Sequence, residues 1–157
     1  MPLVVEDGTG LSDAEAYVSV ADADAYHAQF GNANWAAATL ASKESALRRA
    51  AQYIDTQYRF RGDPLNDTQA LAWPRSTRPW PVRAVISASC ELALPALDGP
   101  LYLDQAGPAI VSETVGPIST TYAVDRRGGQ PRYAAADALL ESLTGGGRLS
   151  MRIERAS

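Results

Sequence analysis

Apolar residues recur at helical spacing over four stretches of the chain; nearer its C-terminal end β-favouring residues gather in two runs around a tight turn, and a last stretch alternates apolar with polar residues. The clearest stripe is Leu47, Ala50, Ala51, Ile54 and Tyr58, at i, i+3, i+4, i+7 and i+11 of a helix starting near Ser42, with Arg48 and Arg49 beside it. A shorter stripe, Ala23, Tyr26 and Phe30, follows Ser19-Val20-Ala21-Asp22, a capping-box form that sets a carboxylate at the positive end of the helix dipole. Gly31 ends that helix, and Trp35 falls in an Asn/Ala-rich connector. Val82, Val85, Ile86, Ser89, Leu92 and Ala93 predict a third helix running to about Leu94, where Pro95 disturbs the last turn. Ala136, Leu139, Leu140 and Leu143 predict a short final helix closed by Gly145-Gly146-Gly147.

These later stretches predict β structure. Ile110 to Val115 and Ile118 to Val124 flank Gly116-Pro117 and read as a hairpin, which is marginal in water without a surface to lie on. Leu149, Met151 and Ile153 alternate with Ser150, Arg152 and Glu154, the period of a strand. That strand either joins the hairpin or pairs with the sheet edge of another molecule. Between Gly62 and Pro81 turn chemistry takes over, with Asp63-Pro64, Asn66-Asp67, Trp73-Pro74-Arg75 and Arg78-Pro79-Trp80-Pro81, and this segment is expected to lie irregularly over the surface, anchored by its tryptophans. The fold class expected is mainly α: four helices, a small β-hairpin and a strand-like C-terminal tail, with 1–147 as one helical domain and 148–157 as the tail.

At 157 residues the chain has the size of one domain. Hydrophobic residues are 46% of it, but so many are alanine that a thin, helix-rich core is expected. No apolar run is long enough to span a bilayer and no basic segment opens the chain, so a soluble, unexported protein without membrane partners is expected. The single cysteine, Cys90, makes no intrachain disulfide, and with the single histidine, His27, it leaves no thiolate or imidazole cluster for a metal. Charge is unevenly placed. The net value is -4, yet no Lys or Arg precedes Lys43, while Glu6, Asp7, Asp13, Glu15, Asp22 and Asp24 do. From Lys43 onward 14 basic residues face 12 acidic ones. Such a chain either attracts copies of itself head to tail or simply carries a solvated acidic face.

Catalytic constellations are sparse. His27 lies in an Ala-rich helix with no nucleophile-elbow sequence, and Cys90 lies in a helical stretch where a buried, inert thiol is expected. Gly8-Thr9-Gly10 and Gly145-Gly146-Gly147 lack the Lys-Ser/Thr of a phosphate-binding loop and read as turns. Asp22, Asp24 and Glu15 lack the spacing of a calcium loop. No enzyme activity, cofactor or metal is expected. Arg59, Phe60, Arg61, Trp73, Arg75, Arg78 and Trp80 interleave cations with aromatic rings as single-strand binders do, whereas a pI near 4.9 argues against tight DNA binding.

Several strings carry a family resemblance: Leu3-Val4-Val5-Glu6-Asp7-Gly8-Thr9-Gly10, Ala16-Tyr17-Val18-Ser19-Val20-Ala21-Asp22-Ala23-Asp24-Ala25-Tyr26, Gln69-Ala70-Leu71-Ala72-Trp73-Pro74-Arg75, Glu91-Leu92-Ala93 and Ser112-Glu113-Thr114-Val115-Gly116-Pro117. Together they resemble phage and prophage proteins labelled DnaT-like single-stranded-DNA-binding proteins. In helix order, late hairpin and tail these are similar to the head-tail connector adaptors of tailed bacteriophages. That resemblance implies a four-helix connector-type domain forming a ring, of twelve copies, on the portal at the virion neck after assembly in the host cytoplasm. It implies further partners in a next neck or tail-completion protein and in packaged duplex DNA passing through the lumen. Portal binding would fall on Arg148, Leu149, Ser150, Met151, Arg152 and Ile153, and the subunit interface on Val111, Glu113, Val115, Ile118, Thr120 and Tyr122. One departure is the short Arg78-Pro79-Trp80-Pro81 segment, where related sequences carry a longer loop. The function expected is therefore a head-completion adaptor, and the alternative is a single-stranded-DNA-binding replication accessory protein.

Overall fold

The computed structural model describes residues 2–102, 112–115, 118–121 and 131–145, the two middle segments as backbone only. It is mainly helical, with α1 Val20–Gln29, α2 Ala33–Ala37, α3 Leu40–Gln57, α4 Arg83–Ala96 and α5 Ala134–Leu140, the last running into a 3-10 turn over Glu141–Leu143. Among the described residues five helices thus stand where the periodicity predicts four. The addition, α2, is a five-residue helix in the connector after Gly31, and it carries Trp35, which is 1% exposed, into the core. A single turn of helix has too few positions to show a period, so hydrophobic patterning misses it.

Local chemistry sets the ends of the longer helices. The Ser19 hydroxyl accepts from Asp22 N at 3.1 Å and caps α1, as the sequence predicts. The Thr39 hydroxyl accepts from Ser42 N at 3.2 Å, so α3 begins two residues before Ser42. Pro95 does not end α4. It sits in the last turn, and the helix closes beyond it with Leu97 N on the Ala93 carbonyl at 3.2 Å and Asp98 N on the Pro95 carbonyl at 3.1 Å.

The core lies where α4 packs between α3 and α5. Ala46, Ala50, Ala51, Ala88, Ala93 and Ala96 are all buried there, and their small side chains let the helices approach closely, while Leu47, Ile54, Val85, Leu92 and Leu140 fill the space between. Arg49 crosses this interface to donate to the Ala96 carbonyl at 2.9 Å, satisfying one of the orphan acceptors at the end of α4. Tyr26 donates to Glu91 at 2.5 Å and Tyr58 to Asp137 at 2.6 Å, tying α1 to α4 and α3 to α5.

The Gly62 to Pro81 segment is irregular and anchored, as expected. Trp73 is buried, the Trp80 ring lies 5.8 Å from the Tyr17 ring, and the peptide bonds Trp73-Pro74 and Trp80-Pro81 are both cis. Tyr17 OH donates to Asp55 on α3, accepts from Trp73 N at 3.2 Å, and Asp55 also accepts from Ala72 N at 3.2 Å. The loop is therefore hydrogen-bonded to the helical core through the buried Tyr17 and the half-buried Asp55.

The β content is small. Strands β1 Ser112–Val115 and β2 Ile118–Thr121 pair antiparallel, with Val115 opposite Ile118 and Ser112 opposite Thr121. Their connection at 116–117 and the ends expected at 110–111 and 122–124 lie outside the described residues, as does the tail at 148–157. No helix among the described residues is long and apolar enough to cross a membrane.

Candidate functional site

His27 is a packed core residue on α1. It is 1% exposed, its ring lies 4.5 Å from that of Trp35, and its Nδ1 stands 2.9 Å from Asn32 Nδ2, which donates to it and leaves the proton on Nε2. Burial lowers its pKa, so the ring is neutral near pH 7. A cavity of about 490 Å³ opens beside it; Asp24, Asn32, Trp35 and Lys43 at its rim are engaged in hydrogen bonds, while the buried His27 Nε2 has no partner among the described residues. Asp24 accepts from Trp35 Nε1 at 2.7 Å and from Lys43 at 2.8 Å, and the Lys43 contact holds its carboxyl below the usual range. The Cys90 thiol is fully buried and pushed up to about 12 by that burial, which makes it a poor nucleophile. Among the described residues no three side chains gather as metal ligands.

The acidic front and basic back of the chain meet within one molecule. Asp24 pairs with Lys43, and Glu15 pairs with Arg48 at 3.2 Å while accepting from Val4 N. Glu6 is buried and accepts from Gly8 N, Gly10 N and Leu11 N at 2.9, 2.8 and 3.0 Å, organising the turn that Gly8-Thr9-Gly10 predicts. The charge asymmetry is therefore spent in part on folding.

The interleaved arginines and aromatics divide into two groups. Trp73 is 1% exposed, Phe60 packs 5.4 Å from it, and Arg75 donates to the carbonyls of Arg61 and Ala72 at 3.1 Å and to that of Gly62. These three hold the loop. Arg59, Arg61 and Arg78 are exposed, and so is Arg83 at the start of α4; none has a side-chain partner among the described residues.

Arg78 and Arg83 line one groove with Tyr26 of α1, Phe30 at the C-terminal cap of that helix, Ile86 of α4 and Leu139 of α5, a space of about 770 Å³. Phe30 is 62% exposed and its ring lies 4.8 Å from that of Tyr26, whose hydroxyl is clamped by Glu91. Val82 offers no side-chain cap to α4, so the positive end of that helix adds to the two guanidinium groups. Asp22 also lines the groove and opposes them. The arrangement suits an anionic ligand with flat apolar parts. Interleaving of cations and rings marks Arg78 in the sequence, but it marks neither Arg83 nor Phe30. Phe30 reads in the sequence as a member of the core stripe, although its place at the very end of α1, next to Gly31, turns it outward.

Of the residues expected to bind a portal, Arg148, Leu149, Ser150, Met151, Arg152 and Ile153 lie outside the described residues, as do Val111 and Tyr122 of the expected subunit interface. Glu113, Val115, Ile118 and Thr120 lie in β1 and β2, where only the backbone is described.

The family model described as "Putative DnaT-like ssDNA binding protein" matches residues 1–156. No curated protein and no solved structure matches the chain. The matching family carries a nucleic-acid-binding description, so the head-tail adaptor expected from helix order gives way to the alternative. Similar helix order is a property of fold, and one fold hosts many functions.

Proposed function

We propose, from the premise that this chain belongs to the DnaT-like ssDNA-binding family, that it binds single-stranded DNA as a binding protein without catalysis. The family match over residues 1–156 carries the reading. The burial of Glu6 on three backbone N–H groups supports it, because that carboxylate is withdrawn from the surface a strand would meet without using up a cation. So do the exposed Arg78 and Arg83, which have no side-chain partner among the described residues and can replace the counterions of phosphate groups.

The test is a fluorescence-anisotropy titration of the full chain against labelled oligothymidylate and against a duplex of equal length, at several salt concentrations. Tighter binding of the single strand, weakening as salt rises, is the expected result. Failure to bind the single strand at micromolar protein and about 50 mM salt overturns the proposal.

A further inference from the structure

We infer that the groove between α1 and the start of α4 is the single-strand site, with a base stacked on Phe30 and backbone phosphates held by Arg78 and Arg83. The inference rests on the single-strand reading and adds to it the place and the mode of binding. Two observations support it and a third sets its limit.

Phe30 is the first. It is 62% exposed at the C-terminal cap of α1, where it contributes little to the core, and its ring is backed by Tyr26, itself fixed by the hydrogen bond to Glu91. A large apolar ring held in water by a rigid support is a platform for another flat ring, and every unpaired base presents such a face. A duplex hides those faces in its own stack, so the platform favours the single strand.

Charge complementarity is the second. Arg78 and Arg83 line the same groove as Phe30 and neither is engaged by a side chain among the described residues, whereas Arg75, Lys43 and Arg48 are all committed to internal acceptors. The groove therefore holds the partnerless cations that lie beside an exposed aromatic ring. Asp22 is the third observation. It is the acid that lines the groove, and it limits affinity by repelling the same phosphates that the arginines attract.

Binding of labelled oligothymidylate by full-length variants tests this, with thermal melts confirming that each variant folds. Arg78→Ala with Arg83→Ala is expected to weaken binding at least tenfold and to flatten the slope of log affinity against log salt by roughly 1.4, the value for two phosphate contacts on a single strand. Phe30→Ala is expected to weaken it about tenfold, with Phe30→Trp restoring it. Asp22→Asn is expected to tighten it about threefold at low salt. Arg59→Ala with Arg61→Ala, outside the groove, is expected to change it less than about twofold. If the wild-type chain binds and the groove variants bind equally well, the site is wrong and the single-strand reading stands. The site is equally wrong if the loss appears in the Arg59 and Arg61 pair instead. If the wild-type chain does not bind, both fall.

Discussion

Asp55 shows how one residue couples the irregular loop to the helical core. Its carboxyl is largely buried, which pushes its pKa up to about 6 despite the hydrogen bonds from Tyr17 and Ala72 N that favour the charged form. A carboxyl whose folded pKa is raised binds its proton more tightly when folded, so its contribution to stability is full below about pH 4 and is lost as pH rises through 6. Asp55→Asn mimics the neutral form, and its stability relative to wild type is expected to rise by about 2 kcal/mol between pH 4 and pH 7, at roughly 1.4 kcal/mol per tenfold change in proton affinity. Urea denaturation at the two pH values checks this. A difference between the proteins that does not vary with pH means that Asp55 titrates normally.

At the level of elements, the caps and the tyrosines have distinct roles. Ser19 and Thr39 each close the first turn of a helix with a hydroxyl, at 3.1 and 3.2 Å. Replacing either with alanine is expected to cost about 1 kcal/mol, and replacing both about 2 kcal/mol, since they belong to separate helices. The urea midpoint should fall with the slope unchanged, and a single variant that leaves the midpoint in place shows that its hydroxyl does not stabilise the helix. The tyrosine hydroxyls act between elements, each donating to a carboxylate on another part of the chain: Tyr26 to Glu91, Tyr58 to Asp137 and Tyr17 to Asp55. Helix existence was legible in the sequence because it depends on spacing and caps. These cross-links were not, because partners 65, 79 and 38 residues apart leave no local signal.

Over the whole molecule, Trp73 joins the loop to the core, and it is among the largest side chains that are fully buried. Its indole Nε1 has no hydrogen-bond partner among the described residues. Trp73→Ala is expected to cost roughly 3–5 kcal/mol through the cavity it leaves, a large share of a typical domain's stability. Trp73→Phe also removes the orphan N–H, so it should cost well under half of that. Equal destabilisation by the two variants, read from thermal and urea unfolding, would show that the ring's size is not what anchors the loop. The Arg/Trp segment reads in sequence as one motif. The fold separates it into Trp73 and Arg75, which hold the loop, and Arg78, which faces the groove, because burial is a property of the packed chain and not of the interval between residues.

The sequence alone determined the helices with long apolar stripes, the cap at Ser19, the turn at Gly8-Thr9-Gly10, the inert setting of Cys90 and the irregular course of 62–81, because each depends on neighbours within a few residues. Tertiary structure decided that the acidic front pairs with Lys43 and Arg48 of the same chain, that α2 buries Trp35, and that Phe30 shares a groove with Arg78 and Arg83. Those outcomes depend on which distant surfaces meet once α3 and α4 have packed, and the free energy of that meeting is spread over the whole core.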